Sequence, residues 1–257
     1  MARKRRRKKG AGLESRIVPV DQANPHVKIL VYGRNKKGKT RFCGSAPNVL
    51  VVDVNERGTL SIRGSGAKVF PMKTWADIDE VYWYLKRGDH DYETVAIDTL
   101  TALNALCMSH VLKEGHDRDS TKDPKMPRRQ DYGKVAEMMK QEILRFRNLP
   151  MHVIFTAQER REGDAEEGED VVICPDLPAG SRGTAMGSVS IVGRVYRKKV
   201  KRKNKKTRRV VSKWQTMLWV GDHKDFEAGD RTNSLGRVVT DPTMTKIIEA
   251  ATNQEDE

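Results

Sequence analysis

Cysteine is scarce. Cys43, Cys107 and Cys174 stand far apart, form no C-x-x-C pair and make an odd count. That excludes a disulfide framework and a structural zinc site, and it points to a reducing compartment. The six histidines follow no H-E-x-x-H or finger spacing, so a metal centre built on them is not expected. No apolar run approaches the roughly 20 residues that a membrane span needs. The basic start at residues 3–9 has no apolar stretch behind it and does not read as a secretory signal. A soluble, cytoplasmic protein without membrane contact is expected. Short apolar blocks recur along the chain, and they exclude wholesale disorder despite 33% charged residues.

Charge is abundant and unevenly placed. The formal net charge is +14 over 257 residues. Residues 3–9 are all basic, and the segment 197–209 carries ten further cations. Without those 17 charges the rest of the chain stands at −3. Residues 159–170 form a counter-cluster with seven acidic residues. The chain therefore reads as a nearly neutral body with two basic tracts and one acidic loop. The expected organisation is a basic flexible arm at 1–25, a domain at 26–251 and a polar tail at 252–257.

Within the body, residues 26–32, 48–53, 93–98 and 151–157 are near-continuous apolar runs rich in β-branched residues. Such runs suit parallel strands covered on both faces. Residues 68–70 suggest a further short strand. Helical periodicity follows Thr74, whose hydroxyl is expected to cap a helix that Gly88 stops. Further helices are expected from Thr99 to about Lys113 and from Asp131 to Asn148, with a long polar loop at 115–131. A Gly- and Ser-rich stretch at 180–188 precedes two strand-like runs, 189–196 and 210–220, which flank the second basic tract. They read as a β-hairpin with a cationic tip. Asp241-Pro242 reads as the start of a last helix.

The chemistry is concentrated in Gly33-Arg34-Asn35-Lys36-Lys37-Gly38-Lys39-Thr40, a full G-x-x-x-x-G-K-[ST] string directly after an apolar strand. Its backbone N–H groups and the following helix start, with Arg41, form a cradle for phosphates. Lys39 would reach the β- and γ-phosphates, and Thr40 would offer its hydroxyl to Mg²⁺. Lys36 and Lys37 add cation in the middle of the loop. Asp98, at the end of a core strand, would hold Mg²⁺ through water, or cap the helix that starts beside it. Glu56 lies past the second strand, at the edge where open α/β sheets bind ligands. It could orient the attacking water or stand as a solvated loop acid. Gln158 follows the strand 151–157 at the same edge, either as a γ-phosphate sensor or as a surface amide.

The basic tracts suit a polyanion. Each cation placed on a phosphate releases counterion and gives salt-dependent affinity without sequence readout. The hairpin cations Lys199, Lys201, Arg202, Lys203, Lys205, Lys206, Arg208 and Arg209 are the candidate nucleic-acid contacts, with the N-terminal arm beside them. Tyr196 and Trp214 are the few aromatics nearby, which favours backbone tracking over base stacking.

Four segments, Lys28–Phe42, Thr94–Leu103, Gln130–Glu159 and Gly229–Pro242, together resemble the bacteriophage RecA-like P-loop ATPases associated with single-strand DNA annealing and recombination. The resemblance implies an α/β fold: a RecA-like P-loop NTPase core with a mostly parallel sheet flanked by helices, plus the C-terminal hairpin. It implies ATP and Mg²⁺ as cofactors, with Lys39, Thr40, Asp98, Glu56 and Gln158 in the roles above. It also implies assembly into a ring or filament on single-stranded DNA, with ATP near a subunit boundary. Arg231 matches the family's late Asp-Arg segment and is the candidate trans-acting cation, with Lys224 second. The chain departs from the family in two places. Val54 stands where the family carries an Asp two residues before the glutamate. The segment after Gln158, a DNA-facing loop in RecA-like proteins, is acidic here and would repel phosphate; either DNA contact has moved to the basic hairpin and the 115–131 loop, or this loop binds a protein or occludes the site until ATP arrives. The expected activity is a slow, DNA-stimulated, Mg-dependent ATPase. The competing expectations are a nucleotide-switched DNA-binding or assembly factor with little hydrolysis, and a helicase- or packaging-type motor.

Overall fold

The computed structural model describes residues 17–19, 25–55, 57–163, 170–203 and 210–252, with backbone only at 202, 203, 210 and 211. The four apolar runs become parallel strands: β1 (Lys28–Tyr32), β2 (Val49–Val54), β4 (Thr94–Asp98) and β5 (His152–Ala157), with β3 (Lys68–Met72) beside β2. Strands β6 (Glu159–Glu162) and β7 (Val172–Pro175) form a separate two-stranded sheet, which Ile173 ties to Phe226 by a single bridge. Strands β8 (Ile191–Lys203), β9 (Val210–Trp219), β10 (Gly229–Asp230) and β11 (Val238–Thr240) complete the main sheet. Its order is β11-β9-β8-β1-β5-β4-β2-β3, with β10 against β8. From β8 to β3 all neighbours are parallel, whereas β9 and β11 alternate direction. The result is the mixed α/β architecture of a P-loop NTPase core.

Alternation along the strands fills two cores, because successive side chains point to opposite faces. Leu30, Val52, Ile97 and Phe155 point to one face, where α2 (Asp77–Arg87), α3 (Leu100–Arg118), α4 (Arg129–Arg147) and α5 (Ala179–Gly187) cover them. Ile29, Val31, Val51 and Ile154 point to the other, under the short helix α1 (Lys39–Cys43) and the last helix α6 (Met244–Thr252). All three cysteines are buried thiols. Burial pushes the Cys107 thiol up to about 12.

Several boundaries differ from expectation, each for a local reason. Asp77, rather than Thr74, ties the start of α2: its carboxylate accepts the Lys73 and Thr74 N–H groups at 2.7 and 3.0 Å. Helix α3 runs on to Arg118 and α4 begins at Arg129, so the expected 115–131 loop shrinks. The acidic segment begins as strand β6 of a hairpin rather than as a loop; 164–169 lie outside the described residues. The Gly/Ser-rich stretch forms α5 after Pro178. Asp241 is not a helix cap: at φ 45° its carboxylate accepts from Thr216 N and Gln215 Nε2, both on β9.

The hairpin is part of the sheet, not an appendage. Strand β8 runs parallel to β1 with Tyr32 opposite Arg194. It then continues past the sheet, paired with β9 from Arg194–Trp219 out to Lys203–Val210. The expected tip lies outside the described residues, as do the N-terminal arm through Arg16 and at 20–24 and the tail from Asn253.

Candidate functional site

Strand β1 ends at Tyr32, and the chain turns through the loop into α1. Gly38 takes φ 112° and Lys36 φ 61°, left-handed conformations that reverse the chain between β1 and α1. The loop opens onto a cavity of about 670 Å³ lined by Lys36, Lys37, Gly38, Lys39, Thr40 and Arg41. Asn35 lines it too, whereas Gly33 and Arg34 do not.

Lys39 is only 6% exposed. A buried ammonium needs acceptors, and it donates to Gly33 O at 2.8 Å, Arg34 O at 3.1 Å and Gln158 Oε1 at 2.7 Å. The amide of Gln158 is thus brought from the end of β5 onto the loop lysine. Strand β5 stands between β1 and β4 in the sheet, which is what allows this contact.

Asp98 is 3% exposed at the end of β4. The helix cap beside it belongs to Thr99, whose hydroxyl accepts the Ala102 N–H at 3.1 Å. The Asp98 carboxylate faces the loop instead. Thr40 Oγ1 donates to its Oδ2 at 2.6 Å and Thr156 Oγ1 to its Oδ1 at 2.6 Å. Burial, and then the Asp98 charge, pushes the neighbouring Cys43 thiol well above the usual thiol range. Asp53 is level with Asp98 on the adjacent strand and is also buried.

These residues fit a Mg–nucleotide. Thr40 and Asp98 bring hydroxyl and carboxylate oxygens together, the hard donors that Mg²⁺ takes. After β2, the chain returns over Thr40 so closely that a Cβ on Gly58 would meet Thr40 Oγ1 at 2.9 Å. The absent side chain leaves that hydroxyl reachable. When bound, the nucleotide would supply the reactive phosphoanhydride. Lys39 would neutralise its terminal oxygens, Thr40 and Asp98 would hold the cation, and Gln158 would report on the phosphate that its lysine partner touches.

The family model AAA_24, described as an AAA domain, matches residues 26–232. The chain belongs to this AAA domain family. The match makes it a nucleotide-binding P-loop ATPase domain. No curated protein matches the chain.

In this AAA domain, Glu56 lies outside the described residues. Its neighbours Asn55 and Arg57 both take positive φ. Arg231 is not brought to the loop of its own chain. Its N–H bonds Ser190 O, and the Ser190 N–H bonds Lys28 O, at the start of β1 and the opposite edge of the sheet. Lys199 and Lys201 are exposed on β8. Arg202 and Lys203 are placed by their backbone alone, and Lys205, Lys206, Arg208 and Arg209 lie outside the described residues. No helix among the described residues is long and apolar enough to cross a membrane.

Sequence reasoning missed four parts of the site. Thr156 supports Asp98, and the T-A-Q run that closes β5 carried the signal. Arg57, Arg197 and Thr216 line the cavity from outside the loop. Arg34 points away to Glu159, which also receives Arg194: Arg34 Nε and Arg194 Nε each stand 2.9 Å from the carboxylate. Burial alone would raise the Glu159 carboxyl, but the hydrogen bonds and charge of Arg194, then of Arg34, outweigh it and hold it below the usual range. This bridge joins the loop, β8 and the start of the acidic hairpin.

Proposed function

We propose that the protein is an ATP-dependent, Mg²⁺-requiring ATPase that binds single-stranded DNA and acts in phage recombination, annealing or replication. The observation that carries the reading is the closed constellation Lys39–Gln158 and Thr40–Asp98–Thr156 beside an exposed cationic ribbon in the same sheet. The placement of β5 between the loop strand and the Asp98 strand supports the RecA-like form of the core. Lys199 and Lys201 stand on the ribbon as backbone-tracking cations. Self-assembly into a ring or filament would use a head-to-tail interface, in which one surface meets a different one on the next copy. The exposed Arg231, at the edge opposite its own loop, suits such a contact. The acidic hairpin would then face a protein partner rather than DNA.

ATP turnover with and without single-stranded DNA, in the wild type and in Lys39→Ala, tests this. Stimulated turnover is expected, with a loss of about 100-fold or more in the variant, the scale for removing one electrostatic donor from a reacting centre. DNA annealing that needs no ATP and survives Lys39→Ala would sink the nucleotide-coupled reading.

A further inference from the structure

The phosphate loop abuts the β8–β9 ribbon at both of its glycines. A Cβ on Gly33 would lie 2.4 Å from Val195 O, and one on Gly38 would lie 3.5 Å from Thr216 Cγ2. A side chain at Gly33 would clash with the ribbon backbone, whereas at Gly38 the ribbon lies at ordinary contact distance and it is the positive φ of 112° that favours glycine. Arg197 is two residues beyond Val195 on β8, so it shares that residue's face. Thr216 is its cross-strand partner, and both line the phosphate cavity. Arg197 is exposed, and its guanidinium has no ion-pair or hydrogen-bond partner among the described residues. Arg194, three residues earlier on the same strand, is neutralised by Glu159. The strand thus delivers one paired and one unpaired guanidinium to the neighbourhood of the loop.

We propose that Arg197 binds the polyphosphate of the nucleotide, so that the ribbon of the same chain, rather than only a neighbouring subunit, supplies a cation to the site. Among the described residues lining the cavity, Asp98 is the one carboxylate, and Lys36, Lys37, Lys39, Arg41, Arg57 and Arg197 are cations. A cavity so lined attracts a polyanion, and a planar guanidinium matches phosphate oxygens two at a time. The same phosphate chemistry could come from a nucleic-acid backbone lying along the ribbon. The continuity of Arg197 with the loop, through Thr216 and Gly38, favours the nucleotide as its source.

This inference rests on the cavity being the nucleotide site, and the experiment separates the two. Affinity for a fluorescent ATP analogue, without DNA, is measured in wild type, Arg197→Ala, Arg197→Lys and Lys39→Ala. Affinity for oligo-dT, without nucleotide, is measured in the same proteins. Charge-assisted hydrogen bonds of this kind are worth about 10-fold or more in binding. Arg197→Ala is expected to weaken the analogue by about that factor, with Arg197→Lys between it and wild type, and to change oligo-dT affinity less than about 2-fold. An exposed side chain can be truncated without unfolding the sheet, and Arg197→Lys gives a second reading if it cannot. Unchanged analogue affinity in both Arg197 variants, alongside a loss in Lys39→Ala, overturns the inference alone. A loss confined to oligo-dT also overturns it and assigns Arg197 to nucleic acid. No change in Lys39→Ala overturns the nucleotide reading of the cavity itself.

Discussion

The two halves of the sheet treat charge in opposite ways. From β3 to β1 the strands are parallel, and the charged groups at the carboxyl edge are buried and tied: Lys39 by two carbonyls and an amide, Asp98 by two hydroxyls. From β8 outward the strands alternate, and beyond Arg197 the cations Lys199 and Lys201 stand exposed on one face. The difference is one of desolvation. A charge that acts on a reacting phosphate gains from a dry, preorganised setting, but its burial must be compensated by fixed partners. A charge that gathers a passing polyanion needs no such setting and keeps its hydration until the ligand arrives. One strand, β8, belongs to both regimes: Ile191, Val192 and Val195 are core, and two residues later the chain is a cationic ribbon.

The sharpest test of this division is Asp98→Asn. Thr40 and Thr156 both donate to the carboxylate, and an amide can accept only through its oxygen. Turnover is expected to fall about 100-fold or more, and the Mg²⁺ concentration for half-maximal rate to rise. Oligo-dT affinity without nucleotide is expected to stay within about 2-fold of wild type. If DNA affinity falls together with turnover, the two halves are not separate.

The complementary change is in the ribbon. Lys199→Gln with Lys201→Gln removes two exposed cations from β8. If both contact phosphate, the slope of log affinity against log salt for single-stranded DNA flattens by about 1.4. Affinity for the ATP analogue should hold within about 2-fold. An unchanged slope removes this face from the interface and leaves the comparison without its second half.

What the sequence shows of this design follows the same division. The loop string, the apolar strands and the order of Asp98 and Gln158 were legible because each is local: a motif, a run, a residue at a strand end. The pairing of Gln158 with Lys39 is not legible in that way, because it depends on β5 lying beside β1, a choice among topologies rather than residues. Arg197 is the clearest case. In sequence it is the first of ten cations and invites the same reading as the rest. Only the parallel register of β8 against β1, with Tyr32 opposite Arg194, places it against the phosphate loop and leaves Lys199 beyond it. The 159–170 cluster misleads for a related reason. Its net charge suggests a repelling loop, but its first residue is spent on Arg34 and Arg194, and Glu162 pairs with Arg160 and Arg182.

The smallest expected effect lies at the opposite edge of the parallel half, where burial holds an imidazole neutral beside Lys28. His152 Nδ1 accepts the Val27 N–H at 3.0 Å just before β1 begins. Burial, then His26 and Lys28, lowers its imidazole from 6.5 to about 4. The folded state therefore binds fewer protons than the unfolded state between those values. Stability rises with pH across that window and is lost as pH falls from about 6.5 towards 4. Protonation would also remove the acceptor that the Val27 N–H uses. An Asn side chain can accept through its oxygen at any pH in the window. Melting temperatures at pH 7 and pH 5 should therefore converge in His152→Asn relative to wild type, by a few degrees. An equal drop in both proteins would show that the amino edge tolerates a charge there, and that burial of charge at the carboxyl edge is no special property of that edge.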